Sequence, residues 1–137
     1  MSASNNRQYS ISDLSREFDV TNRALRLYEE SGLLSPVREG QKRIYSERDR
    51  VRVRLIMRGK RIGYSLAEIK ELFDMYDDSR HGERAQLRHL LDKLRERRAI
   101  LELQRRELAL SLADIEQIEQ RAREALRELE AKEKQHG

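Results

Sequence analysis

From Glu83 to His136 the chain contains neither glycine nor proline. Within that stretch Leu87, Leu94, Leu101, Leu108, Ile115, Ala122 and Leu129 recur at every seventh position. A seven-residue apolar repeat keeps a narrow seam on one side of an α-helix, and such a seam is buried by another helix. The pattern therefore predicts one long helix, and roughly 50 residues at ~1.5 Å each would span about 75 Å. The companion row of the seam is Leu90, Arg97, Gln104, Ser111, Ile118 and Ala125, which is apolar only at its ends. Leu91, Ile100 and Leu112 widen the stripe. A helix of this length cannot bury its own seam. Self-association is the simplest solution, with two-fold symmetry its commonest form. Leu87, Leu94, Leu101, Leu108 and Ile115 are thus the expected dimerisation residues. The rival is a helical hairpin folding back near Ser111-Leu112-Ala113-Asp114, where no strong helix breaker sits.

An extended helix also explains the composition, in which 39% of residues are charged and 37% hydrophobic. That is heavy in charge for one compact globule. Five of the seven aromatic residues fall between Tyr9 and Tyr64, which places the aromatic core in the N-terminal half. Residues 1–65 hold 14 Lys/Arg against 8 Asp/Glu, an excess of +6, and residues 66–137 hold 15 against 17, a balance of −2. A positive excess confined to one half is the footprint of a phosphate-binding module. A solvated basic surface without a partner fits the charge equally well.

The N-terminal half reads as a helix-turn-helix. Ser10-Ile11-Ser12-Asp13 is a capping box, and Ile11, Leu14 and Phe18 follow at helical spacing. Asp19-Val20 makes the turn, since Asp tolerates left-handed backbone. Thr21 caps a second helix with Leu25 on its inner face and Tyr28 three residues on, ended by Gly32. Asn22, Arg23 and Arg26 lie outward near its start, where a recognition helix presents side chains to base edges. Arginine suits guanine there and asparagine adenine. Pro36 bars helix at Ser35. Val37-Arg38 and Arg43-Ile44-Tyr45 then pair as a basic hairpin around Glu39-Gly40-Gln41, with Lys42 beside them: a wing that grips the DNA backbone. An ordinary surface loop is the alternative. A second helix pair follows. Ser46–Asp49 and Ser65–Glu68 are capping boxes. The first helix carries Val51, Leu55 and Ile56 inward, Gly59–Gly63 is the break, and Ile69, Leu72 and Phe73 face inward on the second.

These motifs, in this order, resemble the MerR family of regulators: Tyr9-Ser10-Ile11-Ser12-Asp13-Leu14, Val20-Thr21, Ala24-Leu25-Arg26-Leu27-Tyr28-Glu29, Gly32-Leu33-Leu34-Ser35-Pro36, Arg43-Ile44-Tyr45 and Gly59–Leu66. The resemblance covers about residues 9–75 by motif and the long helix by position and character. It implies a mainly α fold: a winged helix-turn-helix DNA-binding domain over residues 8–76, then a long coiled-coil dimerisation helix over residues 82–134. It implies an antiparallel homodimer that binds a palindromic promoter operator in double-stranded DNA. Such a regulator distorts an overlong spacer and reaches RNA polymerase through the shared promoter DNA. By motif Arg26, Tyr28, Arg43, Tyr45 and Lys60 fall at DNA-contacting positions, while Thr21, Asn22 and Arg23 join them from the residue reading above. Core packing is the alternative for Tyr28. Leu27 departs from the family, which often carries an aromatic there.

The chain has no cysteine, which excludes disulfides and thiolate sensing of metals or oxidants. His81, His89 and His136 lack a completing ligand set and read as surface residues, so no metal or cofactor is implied. A small-molecule effector remains open. The segments Phe18–Thr21, Arg58–Arg61 and Ser65–Ile69 resemble LiuR-type regulators most, which suggests an acyl-CoA ester, bound around Phe73, Tyr76 and Leu87. No apolar run approaches ~20 residues, so a membrane span is not expected and a cytoplasmic protein is. No nucleotide-cradling glycine loop, thiol or catalytic triad points to an enzyme. Two other classes stay open: an architectural or excisionase-like DNA-binding protein, and a coiled-coil interaction protein with a basic head.

Overall fold

The computed structural model describes residues 6–77 and 82–136. Helices α1 (Ile11–Phe18) and α2 (Asn22–Glu30) precede strands β1 (Val37–Glu39) and β2 (Lys42–Ile44); α3 (Glu47–Arg61), α4 (Leu66–Asp77) and α5 (Glu83–His136) follow. The protein is mainly α with a small two-stranded wing. It divides into two units, Met1–Leu91 and Asp92–Gly137, with the boundary inside α5.

Helix starts are where the sequence dictates most. Ser10 and Asp13 exchange bonds of 3.0 and 2.8 Å across the first turn of α1. Ser65 and Glu68 do the same at α4, and Thr21 accepts from the Ala24 amide at 3.0 Å to open α2. Each bond satisfies an amide that a helix start otherwise leaves without a partner. Asp19 closes α1 in the left-handed conformation, at φ 53° and ψ 49°, which turns the chain into α2.

The core of the first unit gathers Leu14, Leu25, Tyr28, Leu33, Leu34, Tyr45, Val53, Ile56, Tyr64 and Ile69. In α3 the inward row is Asp49, Val53 and Ile56. The expected Val51 and Leu55 are instead 40% and 45% exposed. The buried row begins with a carboxylate, which disguises it in the sequence. Asp49 is buried because it is a cap: one carboxylate oxygen accepts from the Ser46 amide and hydroxyl, and the other from the Ser35 amide at 3.2 Å. Gly59 is also not part of a break, since α3 runs through it to Arg61. A Cβ there would lie 2.9 Å from Ile69 Cδ1, so the glycine lets α3 and α4 approach closely.

Arg50 ties α1 to the start of α3. Its Nε and Nη2 hold the Glu17 carboxylate at 2.8 and 2.6 Å, and its Nη1 holds Glu47 at 2.7 Å. Arg52 bonds the Leu33 carbonyl at 3.1 Å, pairs with Asp77 and lies 4.8 Å from the Phe73 ring centroid. Gln86 donates to the Met75 carbonyl at 2.8 Å, satisfying the end of α4.

Helix α5 is continuous from Glu83 to His136, without the fold-back considered near Ser111. Its seam leucines are open: Leu94, Leu101 and Leu108 are 37%, 39% and 64% exposed. Among the described residues no helix is long and apolar enough to cross a membrane.

The Arg50 cluster predicts an acid response. Arg50 hydrogen bonding holds the Glu17 carboxyl below its ordinary range, and bonds from Tyr9 and then Arg50 do so for Glu47. With folded values below unfolded ones, their contribution is full above the unfolded carboxylate value of ~4.3 and is lost as pH falls through the folded values. Urea midpoints measured from about pH 7 to pH 3 should drop below about pH 4. Arg50→Met should lower the midpoint at neutral pH and flatten that drop.

Candidate nucleic-acid interface

Helix α2 is set by Thr21 at its start and by Leu25 and Tyr28 packed into the core. That orientation turns Asn22, Arg23 and Arg26 outward, and all are exposed. The wing stands beside it. Its register pairs Val37 with Ile44, Arg38 with Arg43 and Glu39 with Lys42, so Gly40 and Gln41 form a two-residue turn. Gly40 has φ +63°, the left-handed backbone that such a turn needs. Tyr45 falls just past β2 and bridges to Tyr9 through paired backbone bonds of 2.8 and 2.9 Å. A cleft of about 470 Å³ lies where α2, the wing and the segment before α1 meet; its polar lining includes Gln8, Arg26, Gln41, Lys42 and Arg43.

The electrostatics separate two kinds of basic residue. Arg16, Arg38, Arg43, Arg48, Arg50 and Arg52 each hold a carboxylate. Among the described residues, Arg23, Arg26 and Lys42 form no such ion pair, nor do Arg58, Lys60 and Arg61 of α3. Uncompensated positive charge thus collects at the start of α2, on the wing and along α3, where it can attract phosphates. Arg43 is paired yet not exhausted: its Nε donates to Glu29 at 2.8 Å, which leaves its Nη groups. Glu29 also accepts from Arg38 at 3.0 Å. Partial burial opposes charge on Glu29, but the bonds from Arg43 and Arg38 outweigh it and hold the carboxyl below its ordinary value.

The structure brings Arg26 and Arg43 to one cleft and sets Thr21, Asn22 and Arg23 at the adjoining helix start. Lys60 is exposed on the last turn of α3 and does not line that cleft. Tyr28 is 4% exposed and Tyr45 0%, so both rings pack in the core, and the Tyr45 hydroxyl is buried with its ring. For Tyr28 the core alternative is the one observed. Both are large rings in a small core, and burial raises both phenol pKa values. The sequence motifs assign no site role to Glu29, Gln8 or Gln41. The signal for Glu29 was available: two arginines facing each other across a hairpin call for an anion. His89 and His136 are exposed, and His81 lies outside the described residues.

An outward, positively charged helix start with a basic wing fixed beside it defines a winged helix-turn-helix DNA-binding protein. The MerR HTH family regulatory protein model matches residues 9–76, and the MerR DNA-binding model matches residues 50–118. The HTH-type transcriptional regulator CueR of Salmonella typhimurium is 31% identical over 109 residues, 77% of this chain and 79% of that protein. The mercuric resistance operon regulatory protein of Shigella flexneri is 40% identical over 91 residues, 64% of this chain and 61% of its own length. The crystal structure of a MerR-family transcriptional regulator from Bacillus cereus superposes with a TM-score of 0.66 at 28% identity, covering 81% of this chain and 79% of that one. The chain belongs to the MerR family and is a DNA-binding transcription regulator.

Burial of Tyr45 leaves its hydroxyl without a hydrogen-bond partner among the described residues. Removing a buried, unsatisfied hydroxyl is neutral or favourable. Tyr45→Phe should therefore keep or raise the melting temperature and leave duplex affinity unchanged. Weaker DNA binding by a fully folded variant would restore Tyr45 to the interface.

Proposed function

We propose that residues 8–76 form the DNA-binding domain and that residues 82–134 pair with the same helix of a second copy. Two recognition helices then address a palindromic promoter operator in double-stranded DNA. The observation that carries this reading is the start of α2, where exposed Asn22, Arg23 and Arg26 sit next to the wing. Thr21, whose oxygen is occupied as a cap acceptor, can still donate its proton to a phosphate. Arg43 and Lys60 serve as backbone contacts flanking the bases. The dimer distorts the spacer between promoter elements, at a cost set by the sequence being deformed. It communicates with RNA polymerase through that shared DNA, in the cytoplasm. An effector, tested first as an acyl-CoA ester, shifts the distortion.

The seam of α5 favours antiparallel pairing. In a parallel, in-register pair Arg97 would face Arg97, a like-charge layer inside the seam. Antiparallel pairing sets one row against the other. Leu94, Leu101 and Leu108 then face Ser111, Gln104 and Arg97 of the second copy, and Leu87 and Ile115 meet Ile118 and Leu90. In that register Lys93 also comes near Asp114 of the second copy, a complementary pair.

Footprinting on the DNA upstream of the chain's own coding sequence, with and without acyl-CoA esters, tests the function. A symmetric protected site is expected. Arg23→Ala should relax base preference, while Arg43→Ala should weaken binding to all duplexes and lower the salt slope by about 1. Unchanged binding in both variants removes the assignment. The cysteine-free chain makes the pairing directly testable. Leu94→Cys combined with Ser111→Cys should yield an oxidised dimer, and neither single variant should. A cross-link in Leu94→Cys alone would mean parallel pairing.

A further inference from the structure

The wing contains a conflict that it cannot resolve by itself. Its strands are three residues each, and their register sets Arg38 directly opposite Arg43. Short two-stranded hairpins are marginal in water, and like charges directly opposite lower their stability further. The Glu29 carboxylate answers both arginines at once, with bonds of 2.8 Å to Arg43 Nε and 3.0 Å to Arg38 Nη2. It is well placed to matter: the Glu29 and Arg43 side chains are only 18% and 20% exposed, so solvent screens this pair less than a surface pair. Among the described residues, Glu29 is the one α2 side chain that hydrogen-bonds the wing. It lies one turn beyond Arg26 on the same helix, and Arg26 and Arg43 line the same cleft.

We propose that Glu29 is a positioning residue for DNA binding, which locks the wing to the recognition helix and aims the Nη groups of Arg43 at a backbone phosphate. This rests on the reading that the face formed by α2 and the wing binds duplex DNA. The arrangement runs against simple charge counting. A carboxylate beside a phosphate-binding surface repels the ligand, so deleting it should tighten binding if it were only a bystander. A positioning role predicts the reverse. Glu29 spends its charge on holding Arg38 and Arg43 together, and without it the hairpin separates from α2 and Arg43 loses its orientation.

The test uses the full chain and a random-sequence duplex of about 40 base pairs, because backbone contacts do not depend on base sequence. Affinity is measured for the unsubstituted protein, Glu29→Ala, Arg43→Ala and the double variant, with thermal unfolding and amide hydrogen exchange of the wing alongside. Glu29→Ala should bind roughly tenfold more weakly, the scale of one lost charge-assisted bond. The wing amides should exchange faster, and the double variant should bind no more weakly than Arg43→Ala. If Glu29→Ala fails to fold, Glu29→Gln keeps an acceptor and the side-chain shape, and should show a smaller loss in the same direction. Equal or tighter binding by a folded Glu29 variant, or additive losses in the double variant, overturns the proposal. Failure of the unsubstituted protein to bind the duplex would instead remove the reading on which it rests.

Discussion

One buried carboxylate sets the geometry of the DNA-binding half. Asp49 is 5% exposed and grips the chain both before and after the wing: it accepts from the Ser35 amide ahead of β1 and from the Ser46 amide behind β2. Buried carboxylates are tolerated when their lone pairs are filled, and these are filled by backbone that has to be fixed anyway. The same side chain closes the first turn of α3. The root of the wing and the start of α3 are therefore one structural decision. With the root closed, Arg38 and Arg43 are brought within reach of Glu29, and the outer surface of α2 acquires a neighbour of fixed position.

Most of this was legible in the residues, for a local reason. Capping at Ser10–Asp13, Ser46–Asp49 and Ser65–Glu68 involves partners three residues apart, so the signal and the structure occupy the same short window. The left-handed Asp19 and the hairpin turn at Gly40 are read equally directly. What escaped depends on distance in the chain. The inward face of α3 could not be phased from Val51 and Leu55, because the true row starts with an acid whose burial depends on Ser35, fourteen residues earlier. Gly59 looks like a helix breaker until Ile69 is seen to need its space. Tyr28 and Tyr45 sit in a motif shared with DNA-binding relatives, and a motif alone does not say which side of a helix or strand faces the core.

The two units differ in what they ask of other molecules. The first gathers its largest buried side chains in one core, and keeps positive charge outside for a polyanion. The second is a single helix with Leu108, Leu112 and Ile115 at 64%, 66% and 53% exposure, and isolated helices gain most of their stability from packing. Its polar row at Arg97, Gln104 and Ser111 lowers the stability of any pairing, yet it penalises a parallel arrangement far more than an antiparallel one. Under the proposed dimer, polar residues in the seam act as selection among arrangements rather than as defects.

The reciprocal caps carry a consequence for the order in which the chain acquires its structure. Helix starts closed by residues three positions away need no long loop to be gathered first, and such short-range contacts form on the fast side of folding. The pairings that set the wing, Tyr9 with Tyr45 and Ser35 with Asp49, span at most 36 residues and lie wholly upstream of α5. During synthesis, N-terminal segments emerge first and fold as units. The charged face of α2 is thus assembled while much of the leucine seam is still being made, so under the proposed dimer a nascent chain completes its basic face before its pairing surface.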